Sequence, residues 1–318
     1  MALSASTFAT SPQQTYGMDY YLKGALAGGI CCSITHGAVC PVDVVKTRMQ
    51  LSPEIYNKGM VGGFKQVIEQ EGASALLTGL APTAVGYFIQ GWFKFGGVEF
   101  FKINAVKAMG DEKAWENRTG IYLASAAGAE FIADVFLCPL EATRIRLVSE
   151  PTFGGGSLMG CAGKLVKDNG IIGGLYSGFV PMLFKQIPYT MAKFAVQGKA
   201  AEAIQSSAGI NPETMGGTTK LGVALSSGVI AGVAAAIISH PADSLLSKVN
   251  KAGAGGSGGM LSRLANITTE TGIMTLCTQG LGARCVMIGA LTAGQFAIFD
   301  TVMGSLGASK FHFHNPNK

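Results

Sequence analysis

Residues 41–48 read PVDVVKTR, and the pattern returns twice, as PLEATRIR at 139–146 and PADSLLSK at 241–248. The three copies start 98 and 102 residues apart. A second signature keeps the same phase: TGLAPT from Thr78, SGFVPM from Ser177 and QGLGAR from Gln279. Its glycines, Gly79, Gly178 and Gly280, are spaced by 99 and 102 residues. Two signatures recurring together over the whole chain identify a tandem repeat of one supersecondary unit.

Each copy has the same layout. A long apolar segment runs into the motif proline, over 20–50, 119–148 and 220–250. A glycine-bearing linker follows, then a short amphipathic segment at 62–70, 158–168 and 259–270. A second apolar segment closes the unit, over 80–107, 179–206 and 281–305. About 20 apolar residues span a bilayer as a helix, and all six long segments reach that length. The expected architecture is an all-α integral membrane protein with six transmembrane helices in three repeats, pseudo-threefold symmetry and three short amphipathic helices on one side. The boundaries read as a disordered tail at 1–19, repeats at 20–110, 111–208 and 209–306, and a C-terminal tail at 307–318.

Composition agrees. Of the 318 residues 48% are hydrophobic and only 14% charged, where soluble domains carry about 25% charged residues. The 45 glycines suit close helix packing in a membrane. A net charge of +5 without basic runs interleaved with aromatics argues against a nucleic-acid partner. The seven cysteines form no CxxC pair, so neither a metal site nor a redox motif is expected. Cys40 and Cys138 precede motif prolines and read as small packing residues. No glycine-rich loop after a strand and no nucleophile–base constellation supports an enzyme or a bound cofactor. The N-terminal stretch is rich in Ser and Thr and has no Lys or Arg, unlike a secretory or transit segment.

Repeat phase also identifies the interior face. His36, Asp134 and Ala236 each lie five residues before a motif proline. His36 is seven residues before Asp43. Glu130 and Asp134 stand eleven and seven residues before Glu141, on one helical stripe. On the second helices Thr83, Tyr87, Gln90 and Lys94 form a stripe, as do Lys185, Tyr189 and Lys193, with Gln186 beside Lys185. Arg284 opens a third stripe that ends in Gln295, and Lys94, Lys193 and Gln295 are equivalent by phase. Lysines that snorkel to the surface account for Lys102 and Lys107 near a helix end, but not for Lys94 and Lys185 deep in apolar spans. Ionisable groups at membrane depth line cavities or proton paths. Cations and hydrogen-bond donors facing carboxylates and a histidine suit a small anion.

The thrice-repeated Pro-x-acid-x-x-base-x-base pattern resembles the mitochondrial carrier family over residues 20–305. Within it, SITHGAVCPVDVVKTR, AEFIADVFLCPLEATRIRLVS, FKQIPYTMAKF and HPADSLLSKVNK resemble the branch that carries inorganic phosphate. The resemblance implies a monomeric solute carrier of the inner membrane that imports phosphate with a proton, with cardiolipin as a lipid partner. Copper through the cysteines, or a dicarboxylate, is the alternative cargo; a scaffold would not explain charged interior stripes, nor a passive channel the latch pairs.

The resemblance further implies a matrix gate of Asp43 with Arg144 and Asp243 with Lys46, braced by Gln50. The third acid, Glu141, would lack its partner, because Leu246 stands where a base is expected. That makes Glu141 a candidate proton carrier alongside His36, Glu130 and Asp134. The cytoplasmic gate is expected from Glu99, Lys102 and Asp300, with Asp300–Lys102 its clear pair. The other equivalent positions hold Gly198, Ala201 and Met303. Substrate contacts are expected from Thr83, Tyr87, Gln90, Lys94, Lys185, Gln186, Lys193 and Arg284.

Overall fold

Six apolar segments too long for a globular core become six long helices: α1 (Met18–Leu51), α3 (Leu80–Met109), α5 (Arg118–Ser149), α7 (Phe179–Ser207), α8 (Gly217–Val249) and α11 (Leu281–Ser305). The computed structural model describes residues 16–51, 54–56, 58–211, 215–249 and 260–313, with side chains at 50–51, 246–249 and 260–263 outside that description. Residues 1–15 of the expected 1–19 tail, the glycine linker 251–259 and the side chains of Gln50 and Leu246 therefore lie outside the described residues, while Met18 and Asp19 of that expected tail are helical, in α1.

Even α11, with 25 residues, is about 38 Å long at about 1.5 Å per residue, beyond a hydrocarbon core of about 30 Å. Met18–Met49, Arg118–Ser149, Gly217–Leu245 and Ile273–Ser305 are also apolar enough to cross a membrane on that ground alone. α3 and α7 are more polar because they carry Lys94, Glu99 and Lys102, and Lys193 and Gln197. All five of those side chains are buried inside the bundle.

The helices close a ring. α1 packs on α3, α3 on α5, α5 on α7, α7 on α8, α8 on α11, and α11 returns to α1. Small residues permit the contact: a Cβ on Gly28 would run into the Gly91 carbonyl, and one on Gly232 into the backbone of Ile288 and Gly289. Short helices join the members of each repeat: α2 (Gly59–Glu71), α6 (Leu158–Leu175) and α9 (Met260–Thr271), with α4 (Asp111–Glu116) and α10 (Ile273–Thr278) as single turns. The chain turns sharply at three phase-equivalent glycines. Gly72 (φ 87°, ψ 161°), Gly170 (φ 72°, ψ 174°) and Gly272 (φ 80°, ψ 139°) occupy a region essentially closed to other residues.

The residue before each motif proline is pinned to the turn that starts the next long helix. Cys40 Sγ donates to Thr78 O at 3.8 Å, Cys138 Sγ to Leu175 O at 3.3 Å, and His240 Nε2 lies 3.1 Å from Gln279 O. Below, the "motif end" is the end holding the three prolines, and the "terminal end" is the opposite one, where α1 begins and α11 finishes.

Candidate functional site

The ring encloses a cavity of about 280 Å³ lined from all six long helices. Asp43, Lys46, Arg144 and Asp243 stand at its motif end, and Lys94, Lys193 and Gln295 form its floor. His36 and Tyr87 share one wall, their rings stacked at 3.6 Å with an interplanar angle of 6°. Thr47, Gln90, Glu141, Lys185, Gln186, Tyr189 and Arg284 complete the polar lining.

The strongest electrostatic feature is a cradle of two cations. Lys185 Nζ lies 3.0 Å from one Asp243 oxygen, and Arg284 Nη1 donates to the other. Arg284 Nη2 also donates to Ser239 Oγ at 3.1 Å, whereas its buried Nε makes no hydrogen bond. This corrects the expected Asp243–Lys46 pair: Asp243 is drawn inward, and exposed Lys46 forms no ion pair among the described residues. Two cations deliver a larger attraction than one solvated lysine.

The Asp43–Arg144 pair forms, at 2.6 Å. The same guanidinium bonds Glu141 at 2.9 Å, so Glu141 is not partnerless; a base one turn away on its own helix takes the place of Leu246. The second base of the first motif turns outward from the cavity. Arg48 pairs with Glu71 of α2 at 2.8 Å and donates to Val148 O at the end of α5, while Tyr56 Oη donates to Glu71 at 2.7 Å. This stitches the first repeat to the second.

Glu130 and Asp134 are fully buried behind the cavity wall. Glu130 holds Lys94 at 2.9 Å and accepts from Gln90 at 2.9 Å and Thr190 at 3.0 Å. Gln90 also reaches Asp134 at 3.5 Å, and Asp134 Oδ2 has no partner. Gln90 and Lys94 therefore connect the cavity to a buried carboxylate pair. Thr83 is a correction: it is buried outside the lining, and its hydroxyl donates to Gly79 O at 2.7 Å within its own helix.

Beneath the floor lies a plug that the stripes did not single out. Phe95, Phe194 and Phe296 each follow a floor residue and are mutually equivalent by repeat phase. Their ring centroids are 5.0, 5.8 and 5.6 Å apart in edge-on contacts, with Phe299 4.8 Å from Phe95. Lys193 donates to Gln295 and holds its ammonium 5.0–5.5 Å from the three rings, within cation–π range. The signal was legible, since the phase that aligns Lys94, Lys193 and Gln295 aligns their aromatic neighbours too.

At the terminal end the expected Asp300–Lys102 pair is absent. Lys102 bonds Glu99 three residues earlier on its own helix, and Tyr20 Oη donates to Glu99 at 2.6 Å. Asp300 Oδ1 has no hydrogen-bond partner.

A closed ring of six membrane-length helices, with a charged cavity open at the motif end and a sealed terminal end, is the form of a solute carrier. The sequence model described as "Mitochondrial carrier protein" matches residues 18–108, 116–208 and 217–310, and the chain belongs to that family. It is a membrane transporter of three repeats, in a mitochondrial membrane. The chain is similar to "Mitochondrial substrate carrier family protein N" of Dictyostelium discoideum, 48% identical over 90% of this chain and 95% of that one. It is also similar to the "Probable mitochondrial phosphate carrier protein" of Schizosaccharomyces pombe, at 42% over 91% of each. "Solute carrier family 25 member 3" of Homo sapiens is 38% identical over 92% of this chain and 80% of its own length.

Proposed function

We propose that the protein imports inorganic phosphate, together with a proton, across the inner mitochondrial membrane into the matrix. One observation carries the reading. Lys185 and Arg284 converge in the cavity on the two oxygens of a single carboxylate, Asp243, so the site already holds an oxyanion, supplied by the protein itself. A Lys point charge beside an Arg fork is a pairing suited to phosphate. The names of the relatives in fission yeast and Caenorhabditis elegans, both phosphate carriers, support the same cargo.

In this reading the motif end faces the matrix, and the structure is the matrix-open state. Phosphate arriving in the cradle displaces Asp243, whose natural destination is Lys46 at the cavity mouth. Cargo binding would thus complete the matrix gate beside Asp43, Arg144 and Glu141. Proton movement falls to His36 in the wall and to the Glu130–Asp134 pair reached through Gln90 and Lys94. The ring encloses the pathway within one chain, so the transporting unit is a monomer; cardiolipin as a lipid partner rests on family resemblance.

The test is uptake of labelled phosphate into liposomes holding the purified chain, with and without an inward proton gradient, alongside a dicarboxylate and copper. We expect saturable phosphate uptake accelerated by the gradient. Transport of the dicarboxylate or copper without phosphate would refute the cargo, and gradient-independent phosphate uptake would refute the coupling.

A further inference from the structure

The terminal-end latch is short of bases. Gly198, Ala201 and Met303 occupy the positions equivalent to the latch residues of α3 and α11, and Lys102 is already engaged by Glu99. Yet this end is sealed. The cover comes from the chain that follows α11.

After α11 the backbone reverses at Gly307, with φ 70°, and Ala308 N donates back to Met303 O at 2.9 Å. The following residues cross the mouth of the bundle. Phe311 N donates to Glu99 on α3 at 2.9 Å, and Lys310 Nζ donates to Gln197 on α7 at 2.9 Å. Phe311 stacks edge-on with Tyr16 at 5.5 Å, ahead of α1, and Phe313 with Tyr122 on α5 at 5.2 Å. Lys220 on α8 donates to Ser309 at 3.3 Å, and Lys310 lies 5.5 Å from the Phe296 ring of the plug. Lys310 and Asp300 face one small cavity of about 40 Å³ between α7, α8, α11 and the tail. One short segment thus touches all three repeats, and its cation stands where α7 and α11 offer none.

We propose that the tail is the missing part of the terminal-end gate. Lys310 supplies the absent base and Phe311 the backbone donor for Glu99, and the segment must leave its seat each time this end opens. Lys310 is the last residue of the third match and Phe311 lies beyond it, so the gate at this end is built where the threefold plan runs out. The proposal requires an alternating carrier but not a particular cargo.

The first arm uses the full chain in liposomes without phosphate, so its outcome is separate from the cargo question. Ala201→Cys places a thiol under the tail, at a site lining the small cavity. An impermeant maleimide added from the terminal side reports how often the mouth opens, with the Ala201 parent correcting for native cysteines. Lys310→Ala removes a charge-assisted hydrogen bond from the closed state, so labelling should quicken by about tenfold or more, and Lys310→Arg should restore slow labelling. Unchanged labelling in Lys310→Ala, or failure of the Arg variant to restore protection, overturns the proposal. A second arm reads the opposite effect, a tail that cannot leave its seat. Gln197→Cys with Lys310→Cys, bridged by a short bis-methanethiosulfonate that forms one disulfide to each thiol with loss of methanesulfinate, ties the tail down. Transport should stop and return on reduction, whereas wild-type transport by the bridged protein overturns the proposal.

Discussion

The two ends of the bundle are held by different physics. At the motif end ionic groups are spread around an open cavity and shared: Arg144 serves Asp43 and Glu141, while Asp243 serves Lys185 and Arg284. At the terminal end Phe95, Phe194 and Phe296 meet on the axis under a strap of tail. Ion pairs in contact with water contribute little net stability, whereas buried aromatic rings contribute both area and edge-on attraction. A transporter must open each end in turn, and here the aromatic end closes while the ionic end stands ready to exchange partners.

The largest expected effect tests the aromatic side. Phe95→Ala removes the ring common to three contacts and should lower stability by about 3–5 kcal/mol, read as thermal unfolding in detergent. A loss below about 1 kcal/mol would mean that the plug does not hold the closed end.

Next comes the cradle. Arg284→Gln leaves Asp243 with Lys185 alone and removes half of the oxyanion site. The penalty of about 2–5 kcal/mol for truncating a buried charge partner should cut phosphate/phosphate exchange at least about 30-fold. Exchange at the wild-type rate would remove Arg284 from the site.

A smaller effect sharpens the role of the tail. Burial pushes the His312 imidazole down to about 3, and the cations Lys310, Lys102 and Lys220 add to this against Glu99. Seated, His312 is neutral; released, it takes up a proton as pH falls below its ordinary value of 6.5. The seated state therefore loses stability as pH drops through that value and continues to lose it towards the depressed one. At about pH 5.5 the loss should be on the order of 1 kcal/mol, because the ring is only partly shielded. Labelling at Ala201→Cys, divided by the rate of a free thiol at the same pH, should quicken in acid, and His312→Gln should flatten the response. An acid response that persists in His312→Gln would assign it to another group.

The smallest effect belongs to the motif end. Asp43→Asn breaks the 2.6 Å pair, but Arg144 keeps Glu141 at 2.9 Å, so no charge is orphaned. The unfolding midpoint should shift by less than about 1 kcal/mol equivalent. A shift as large as that of Phe95→Ala would erase the contrast between the two ends.

How far the sequence reached depended on whether the information lay in repeat phase. The family resemblance implied the Asp43–Arg144 pair across repeats, and phase placed Lys94, Lys193 and Gln295 on one level, where they form the cavity floor. It would equally have revealed the phenylalanine plug. The gate partners that the resemblance implied were misplaced wherever a long side chain had a choice. Asp243 chose Lys185 and Arg284 over Lys46, Lys102 chose Glu99 over Asp300, and Arg144 took Glu141 as well as Asp43. Thr83 shared the stripe but turned to its own backbone.

By itself, then, the sequence determined the three repeats, the six long helices and the level each polar group occupies along the bundle. Those properties follow from periodicity and chain length, which are local. The tertiary structure decided which charges meet, that Glu130 and Asp134 lie behind the wall rather than in the cavity, and that the tail covers the terminal mouth. Such outcomes depend on side-chain reach and on competition between several nearby partners. The tail lies beyond the two signatures that set the repeat phase, so phase did not place it; only the shape of the mouth it fills could.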